Sequence, residues 1–118
     1  MILNLLIGAA IAIGLFFNAL GVFGILRFPD VYTRLHADTK ATTFGSIFTS
    51  LAVALYALGR LFETADGQYA TLLLHTLVAV VVLAITNATG AHAIARAARR
   101  RGHKPAQAVV DKLEEPAP

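Results

Sequence analysis

Three long stretches with almost no ionisable side chains constrain the fold of this chain more than any other feature. They comprise residues 2–26, 41–59 and 69–95, and their only acidic or basic side chains are His75 and His92 in the third stretch. A helix needs about 20 mostly apolar residues to cross the roughly 30 Å hydrocarbon core of a bilayer. The sequence therefore predicts an all-α integral membrane protein with three transmembrane helices.

Composition favours one transmembrane domain over residues 1–101 and a separate tail over residues 102–118. Of the 118 residues, 57% are apolar and 14% are charged. The tail has no sustained apolar period, so we expect it to be disordered. The first apolar stretch has no basic segment before it, which favours a mature helix over a cleaved secretory signal. The chain has no cysteine, which argues against disulfides and thiolate chemistry.

Basic residues are distributed unequally between the connections, and this predicts an orientation. Three lie in the first connection and five closely follow the third stretch, whereas the second connection has only Arg60. Cytoplasmic loops of membrane proteins are enriched in Lys and Arg. We therefore expect the N-terminus outside and both the first connection and the C-terminus in the cytoplasm. Because topology accounts for the net charge of +3, that charge does not indicate a nucleic-acid partner.

The first connection gathers charges in the sequence GILRFPDVYTRLHADTK, residues 24–40. A charged side chain at the bilayer centre costs about 2.5–3.5 kcal/mol, so this segment is expected at the cytoplasmic interface. Pro29 suits the first position of a new helix, and Asp30 then lies in the first turn. We expect a short amphipathic interfacial helix between the first and second spans. In it, Arg34 can bridge Asp30 and Asp38 at i,i+4 spacing.

Two interpretations of this charged connection remain open. It can be a connector with a solvated salt-bridge face, or a docking surface or proton entry point at which His36 titrates near neutral pH. The segment lacks the paired-aspartate spacing of a metal-dependent phosphotransferase and a Gly-rich phosphate loop. We therefore expect no enzymatic activity, no catalytic residue, no metal site and no cofactor.

The predicted spans contain no Asp, Glu, Lys or Arg. A cation/proton transporter normally needs an intramembrane group that can hold either ion. His75 is either a hydrogen-bonding partner between helices or part of a proton relay. Asn18, Ser46 and Asn87 are expected at one depth, where they could hydrogen-bond to each other or to a partner.

Small residues recur every four positions along the second span, which contains Thr42, Ser46, Ser50 and Ala54. Such residues allow the backbones of membrane helices to approach closely. Together with the missing ion site, this pattern indicates a subunit that packs into a larger assembly.

A specific resemblance lies in residues 21–45, GVFGILRFPDVYTRLHADTKATTFG. This segment resembles the signature of the G subunit of Mrp-type (Mnh, Pha) sodium/proton antiporters, in which a Gly-rich helix end precedes R-x-P-D-x-Y-x-R-x-H and then T-K. Eight positions match: Arg27, Pro29, Asp30, Tyr32, Arg34, His36, Thr39 and Lys40. The size and the three-span plan match as well, whereas the tail shows no specific likeness.

The resemblance implies a small accessory component of a multi-subunit antiporter in a bacterial or archaeal cell membrane. Such complexes export sodium in exchange for protons. The implied partners are membrane lipid and the A, B, C, D, E and F types of subunit, especially E, F and the C-terminal part of A. Apart from Thr39, the matched residues are then expected to have docking or structural roles.

Two alternatives remain beside this expectation. Energy-converting membrane-bound hydrogenases use related small subunits, so the chain can be the equivalent piece of such a complex. It can also be a free-standing membrane scaffold or assembly protein.

Overall fold

The computed structural model describes residues 1–104, which form three long helices joined by short links. The helices are α1 (Ile2–Arg27), α2 (Val31–Thr64) and α3 (Gly67–Arg100). Each is long and apolar enough to cross a membrane, and residues 1–104 contain no strand. The predicted all-α membrane fold with three spanning helices is confirmed. The disorder expected of the tail concerns mainly residues 105–118, which lie outside the described part.

The amphipathic segment is helical as expected, but it is the beginning of α2 and not a separate helix. Residues 31–44 contain neither Pro nor Gly, so nothing interrupts the i to i−4 hydrogen bonds between this segment and the second span. The 34 residues of α2 give a helix about 51 Å long. Since the hydrocarbon core is roughly 30 Å thick, part of α2 projects beyond it.

The link between α2 and α3 is shorter than the loop over residues 60–68 that the sequence suggested. Only Ala65 and Asp66 separate the two helices. Ala65 ends α2 in the left-handed conformation with φ 52°, and its N–H donates to the carbonyl of Leu61 at 2.9 Å. The carboxylate of Asp66 accepts a hydrogen bond from the N–H of Gln68 at 3.1 Å. These local bonds reverse the chain within two residues.

The helix α2 lies between the other two. It packs against α1 on one side and α3 on another, whereas within residues 1–104 α1 and α3 do not pack against each other. Both neighbours run antiparallel to α2. Leu3, near the N-terminus of α1, lies beside Gly59 near the C-terminus of α2. Gly24, near the C-terminus of α1, lies beside Ala37 near the N-terminus of α2. The chain is therefore a three-helix unit organised around its middle helix.

Close approach of backbones defines the contact between α1 and α2. The buried residues of both helices are all Ala or Gly. A Cβ atom built on Gly21 would lie 2.5 Å from the Cβ of Ala41, and one built on Gly14 would lie 3.1 Å from the carbonyl oxygen of Gly45. At Gly21 this distance leaves no room for a methyl group, and at Gly14 the neighbouring backbone would have to yield. Small residues therefore set the spacing of this helix pair, as in many membrane proteins.

Aromatic and charged side chains mark the contact between α2 and α3 near their short link. The rings of Tyr56 and Tyr69 meet edge to face with centroids 6.2 Å apart. Arg60 lies over the Tyr69 ring at 5.6 Å and forms a salt bridge with Glu63 at 3.0 Å. Tyr69 and Glu63 raise the pKa of Arg60 above its usual value. This arrangement suits an interfacial position, where aromatic residues are enriched.

Candidate functional site

The charged end of the molecule, defined here as residues 27–40 together with residues 96–104, contains all eight motif residues. Its first element is the cap of α2. Asp30 is the N-cap residue, and its Oδ1 accepts hydrogen bonds from the N–H of Thr33 at 2.7 Å and from the Thr33 hydroxyl. This bond satisfies one of the backbone donors that every helix start leaves open. Pro29 thus precedes the cap, whereas the sequence suggested that it was the first helical residue and that Asp30 followed in the first turn.

Arg34 holds the turn before α2 instead of bridging two carboxylates. Its Nε donates to the carbonyl oxygen of Phe28 at 2.7 Å. Asp38 accepts a hydrogen bond from the hydroxyl of Thr42 at 3.0 Å. The i,i+4 spacing permits Arg34 to bridge Asp30 and Asp38. However, Phe28 is extended, and its carbonyl oxygen accepts no hydrogen bond from a helix backbone within residues 1–104. A guanidinium donor makes a stronger bond to such a group than a neutral donor does.

Tyr32 connects the beginning of α2 to the end of α3. Its hydroxyl donates to the carbonyl oxygen of His103 at 3.0 Å. The chain after α3 is held by a Schellman motif, in which Gly102 has φ +81° and the N–H of His103 donates to the carbonyl of Ala98 at 3.1 Å. This motif needs a left-handed residue, which glycine adopts without strain. The motif therefore fixes the carbonyl that Tyr32 reaches.

Arg27, His36 and Lys40 lie exposed beside an open groove between α1 and α2. None of the three has a hydrogen bond or ion pair within residues 1–104. Within the described part of the chain, these three side chains therefore remain available to other groups. No cluster of three or more His, Asp or Glu side chains in the described part has the spacing to hold a metal ion.

The three polar residues expected at one depth are divided between the two faces of α2. Asn18 contacts Gly45 on the α1 side. Ser46 and Asn87 line a cavity of about 320 Å³ between α2 and α3. No side-chain hydrogen bond connects Asn18, Ser46 and Asn87 in residues 1–104. The structure brings Ser46 and Asn87 to one cavity, but it does not join the three into a network.

His75 is exposed on α3. Residues of α3 that are partly covered, such as Leu73, Thr76 and Val80, lie on the face toward α2. His75 has no hydrogen bond within residues 1–104, so it does not act as a partner between the helices of this chain. A polar side chain in this position faces either lipid or a neighbouring protein.

Sequence reasoning missed two features of the site. The first is the bond from Tyr32 to His103, for which residues 71 positions apart give no local signal. The second is the α1 surface formed by Gly14, Gly21 and Gly24. Their spacing of seven and three residues places them on one helix face, so this signal was present. The small residues that face them are Ala37, Ala41 and Gly45. These are not members of the four-residue repeat, of which Thr42 and Ser46 face α3.

Comparison with known proteins places this arrangement in a family. The sequence model of the PhaG/MnhG/YufB family, described as Na+/H+ antiporter subunit, matches residues 10–99. The chain belongs to this family of Na+/H+ antiporter subunits. Family members are transporter subunits, so the chain is a component of a transport system and not an enzyme. It is a multi-pass membrane protein whose partners include other membrane subunits.

Relatives of this antiporter-subunit family extend the match. UPF0091 protein PH1428 of Pyrococcus horikoshii is 53% identical over 90% of this chain and 88% of its own length. The G subunit of the Na(+)/H(+) antiporter of Alkalihalophilus pseudofirmus is 41% identical over 69% of this chain and 64% of its own. A chain from the membrane-bound sulfane sulfur reductase, an archaeal respiratory membrane complex, superposes with a TM-score of 0.76 at 30% identity, covering 92% of each chain.

Proposed function

We propose that this chain is a small accessory component of a multi-subunit antiporter that exports sodium in exchange for protons. The family match over residues 10–99 carries this proposal. The chain contributes to assembly and activity and does not form the ion-binding site. The likeness to the G-type component of an Na(+)/H(+) antiporter supports the same assignment.

The composition of the spans supports an accessory role. Sodium prefers oxygen ligands, and the spans offer no carboxylate. Asn18 lies on the other side of α2 from Ser46 and Asn87, so the three polar residues do not form one set of ligands. The ion that such a complex carries therefore binds in another subunit.

The exposed surface of α3 supports partner contacts along its length. No residue in its most apolar window is buried within the chain, and this surface contains the exposed imidazole of His75. A polar group at membrane depth is costly unless another protein group or water satisfies it. We propose that small subunits of the E and F types, together with the C-terminal part of the large A-type subunit, cover the surfaces that α2 leaves free.

The two ends of the molecule support a proposal for its orientation in the membrane. The Tyr32–His103 bond holds the beginning of α2 and the end of α3 at one end, which also carries eight Lys and Arg residues. We propose that this charged end lies in the cytoplasm, as the distribution of basic residues favours. The N-terminus and the Ala65–Asp66 link then lie outside.

A transport assay with matched preparations tests the proposed function. Everted vesicles that contain the complete complex are expected to show sodium/proton antiport. Vesicles that contain the chain alone are expected to show none, and vesicles that lack only this chain are expected to lose activity. A tagged chain purified in mild detergent is expected to retain large antiporter-like subunits. Antiport by the chain alone, or full activity without it, would contradict the proposal.

The likeness to the sulfane sulfur reductase complex favours one second candidate. In it, the chain is the equivalent piece of a membrane-bound redox complex, such as one of the hydrogenase type. Copurification with subunits that carry metal centres would support this second candidate. Copurification with antiporter-like subunits alone would support the first.

A further inference from the structure

An open groove of about 840 Å³ runs between α1 and α2 toward the charged end. Its walls include the large apolar side chains Leu20, Phe23 and Phe44, which are exposed. Two cations and a histidine line the same groove: Arg27, Lys40 and His36. The groove thus combines an apolar body with cationic groups, and it is lined by no acidic residue of the described part.

The two cations lie on opposite walls and at different depths. Arg27 is the last residue of α1, whereas Lys40 lies on α2 beside Ala41, which packs against Gly21. Six residues of helix separate the levels of Gly21 and Arg27, which is about 9 Å along the axis. The long stem of a lysine lets its ammonium group rise toward the interface while its methylene groups contact apolar surface. Both charges can therefore reach one headgroup.

The neighbouring carboxylates accept hydrogen bonds from residues of α2. Asp30 caps α2 through Thr33, and Asp38 accepts from Thr42. Arg27 and Lys40 have no ion pair within the described residues. Covering them with an apolar helix would bury unpaired charges at a high cost. An occupant must therefore supply an anion at the rim and hydrocarbon along the walls.

We propose that this groove binds one anionic phospholipid. An acyl chain lies against Leu20, Phe23 and Phe44, and the phosphate accepts hydrogen bonds from Arg27 and Lys40. Membrane lipid is the proposed occupant because an anionic phospholipid brings both chemistries to this depth of the membrane. The groove is open along its length, as the entry of a lipid from the bilayer requires.

Native mass spectrometry of the full chain in detergent tests this assignment. It compares the retention of phosphatidylglycerol with that of phosphatidylcholine, and the two lipids have identical acyl chains. Retention of phosphatidylglycerol in preference to phosphatidylcholine is expected. Each basic side chain near an anionic lipid surface contributes about fivefold in affinity. The Arg27→Gln/Lys40→Gln variant is therefore expected to bind phosphatidylglycerol about 25-fold more weakly.

Two matched variants distinguish the loss of a binding site in the groove from a general loss of positive charge and from misfolding. Arg96→Gln/Arg100→Gln removes the same charge from the same end but outside the groove, and its affinity is expected to stay unchanged. Arg27→Lys/Lys40→Arg keeps both charges and is expected to retain the preference, with helicity by circular dichroism as the test of folding. An equal loss in both double Gln variants would overturn the proposal.

A soluble anion and a helix of a neighbouring subunit are the other occupants that the experiment can detect. Glycerophosphoglycerol, the headgroup without acyl chains, is expected not to compete with the lipid, and competition by it would assign the cations to a soluble anion. Equal retention of the two phospholipids by the folded chain would overturn the lipid site and leave the groove to a helix of a neighbouring subunit.

Discussion

The hydroxyl of Tyr32 donates a hydrogen bond to the carbonyl oxygen of His103 at 3.0 Å. This single bond joins the first turn of α2 to the segment that follows α3, across 71 positions of sequence. It gives a structural role to one motif residue whose purpose the sequence left open. It also ties the motif to the Schellman motif around Gly102.

Replacement of Tyr32 by Phe should loosen the charged end without unfolding the chain. An exposed hydrogen bond contributes about 0.5 kcal/mol, at the low end of the usual range, and the ring remains in place. Faster amide hydrogen exchange after Ala98 is the expected measurement. Tyr56→Phe is the matched control, because the Tyr56 hydroxyl makes no hydrogen bond within residues 1–104. Equal exchange in wild type and Tyr32→Phe would contradict the proposed role.

Replacement of Gly21 by Ala should separate α1 from α2. The added methyl group would lie 2.5 Å from the Cβ of Ala41, so one helix must shift. Overpacking of this kind costs about 1–3 kcal/mol. The free energy of unfolding in mixed SDS and maltoside micelles measures it. Gly8→Ala on the same helix is the control, since its Cβ would meet nothing within 4 Å. A loss at Gly8 as large as that at Gly21 would argue against the contact.

Replacement of Asp30 by Ala should reduce recovery of the assembled complex before it changes the affinity for sodium. Loss of an N-cap costs about 1 kcal/mol, and the first turn of α2 contains the motif residues Tyr32 and Arg34. Asp30→Ser keeps a capping oxygen and should restore recovery. Arg34→Ala, which removes the bond to Phe28, should resemble Asp30→Ala. Normal recovery with altered sodium affinity would instead assign these residues to the ion pathway.

Replacement of Ala65 by Gly should stabilise the link between α2 and α3. Ala65 has φ 52°, and this left-handed conformation costs a residue with a Cβ about 1–2 kcal/mol. Thermal unfolding of the purified chain should therefore occur at a higher temperature. The reciprocal change Gly102→Ala, at φ +81°, should lower that temperature. A decrease on Ala65→Gly would show that the alanine methyl group contributes more than the backbone conformation costs.

Replacement of His75 by Gln should leave substantial antiport in the intact complex. The side chain is exposed on α3, and the amide of Gln can make one of the hydrogen bonds that imidazole makes. Sodium-dependent proton movement in everted vesicles measures the effect, with His92→Gln as the control on the same helix. Abolished transport in a complex of normal yield would place His75 in a proton path.

The number of spanning helices could be predicted because the length of each apolar stretch can be read directly from the sequence and compared with the thickness of the bilayer. The helices that pack against each other could not be predicted. In lipid, an apolar side chain does not indicate whether its helix face contacts lipid or another helix. Gly14 and Gly21 show this: their spacing defines a face, but only the fold identifies Ala41 and Gly45 opposite them. Arg34 shows the corresponding limit for charges. Its spacing allowed two carboxylate partners, whereas the backbone of Phe28 offered a nearer acceptor.

The placement of α2 between α1 and α3 has a consequence for ion movement. Within residues 1–104, the two outer helices do not pack against each other, so the three helices enclose no space among them. The polar residues that mark ion pathways in membranes face a bundle interior or a water-filled cavity. A path bounded by this chain therefore needs walls from another subunit.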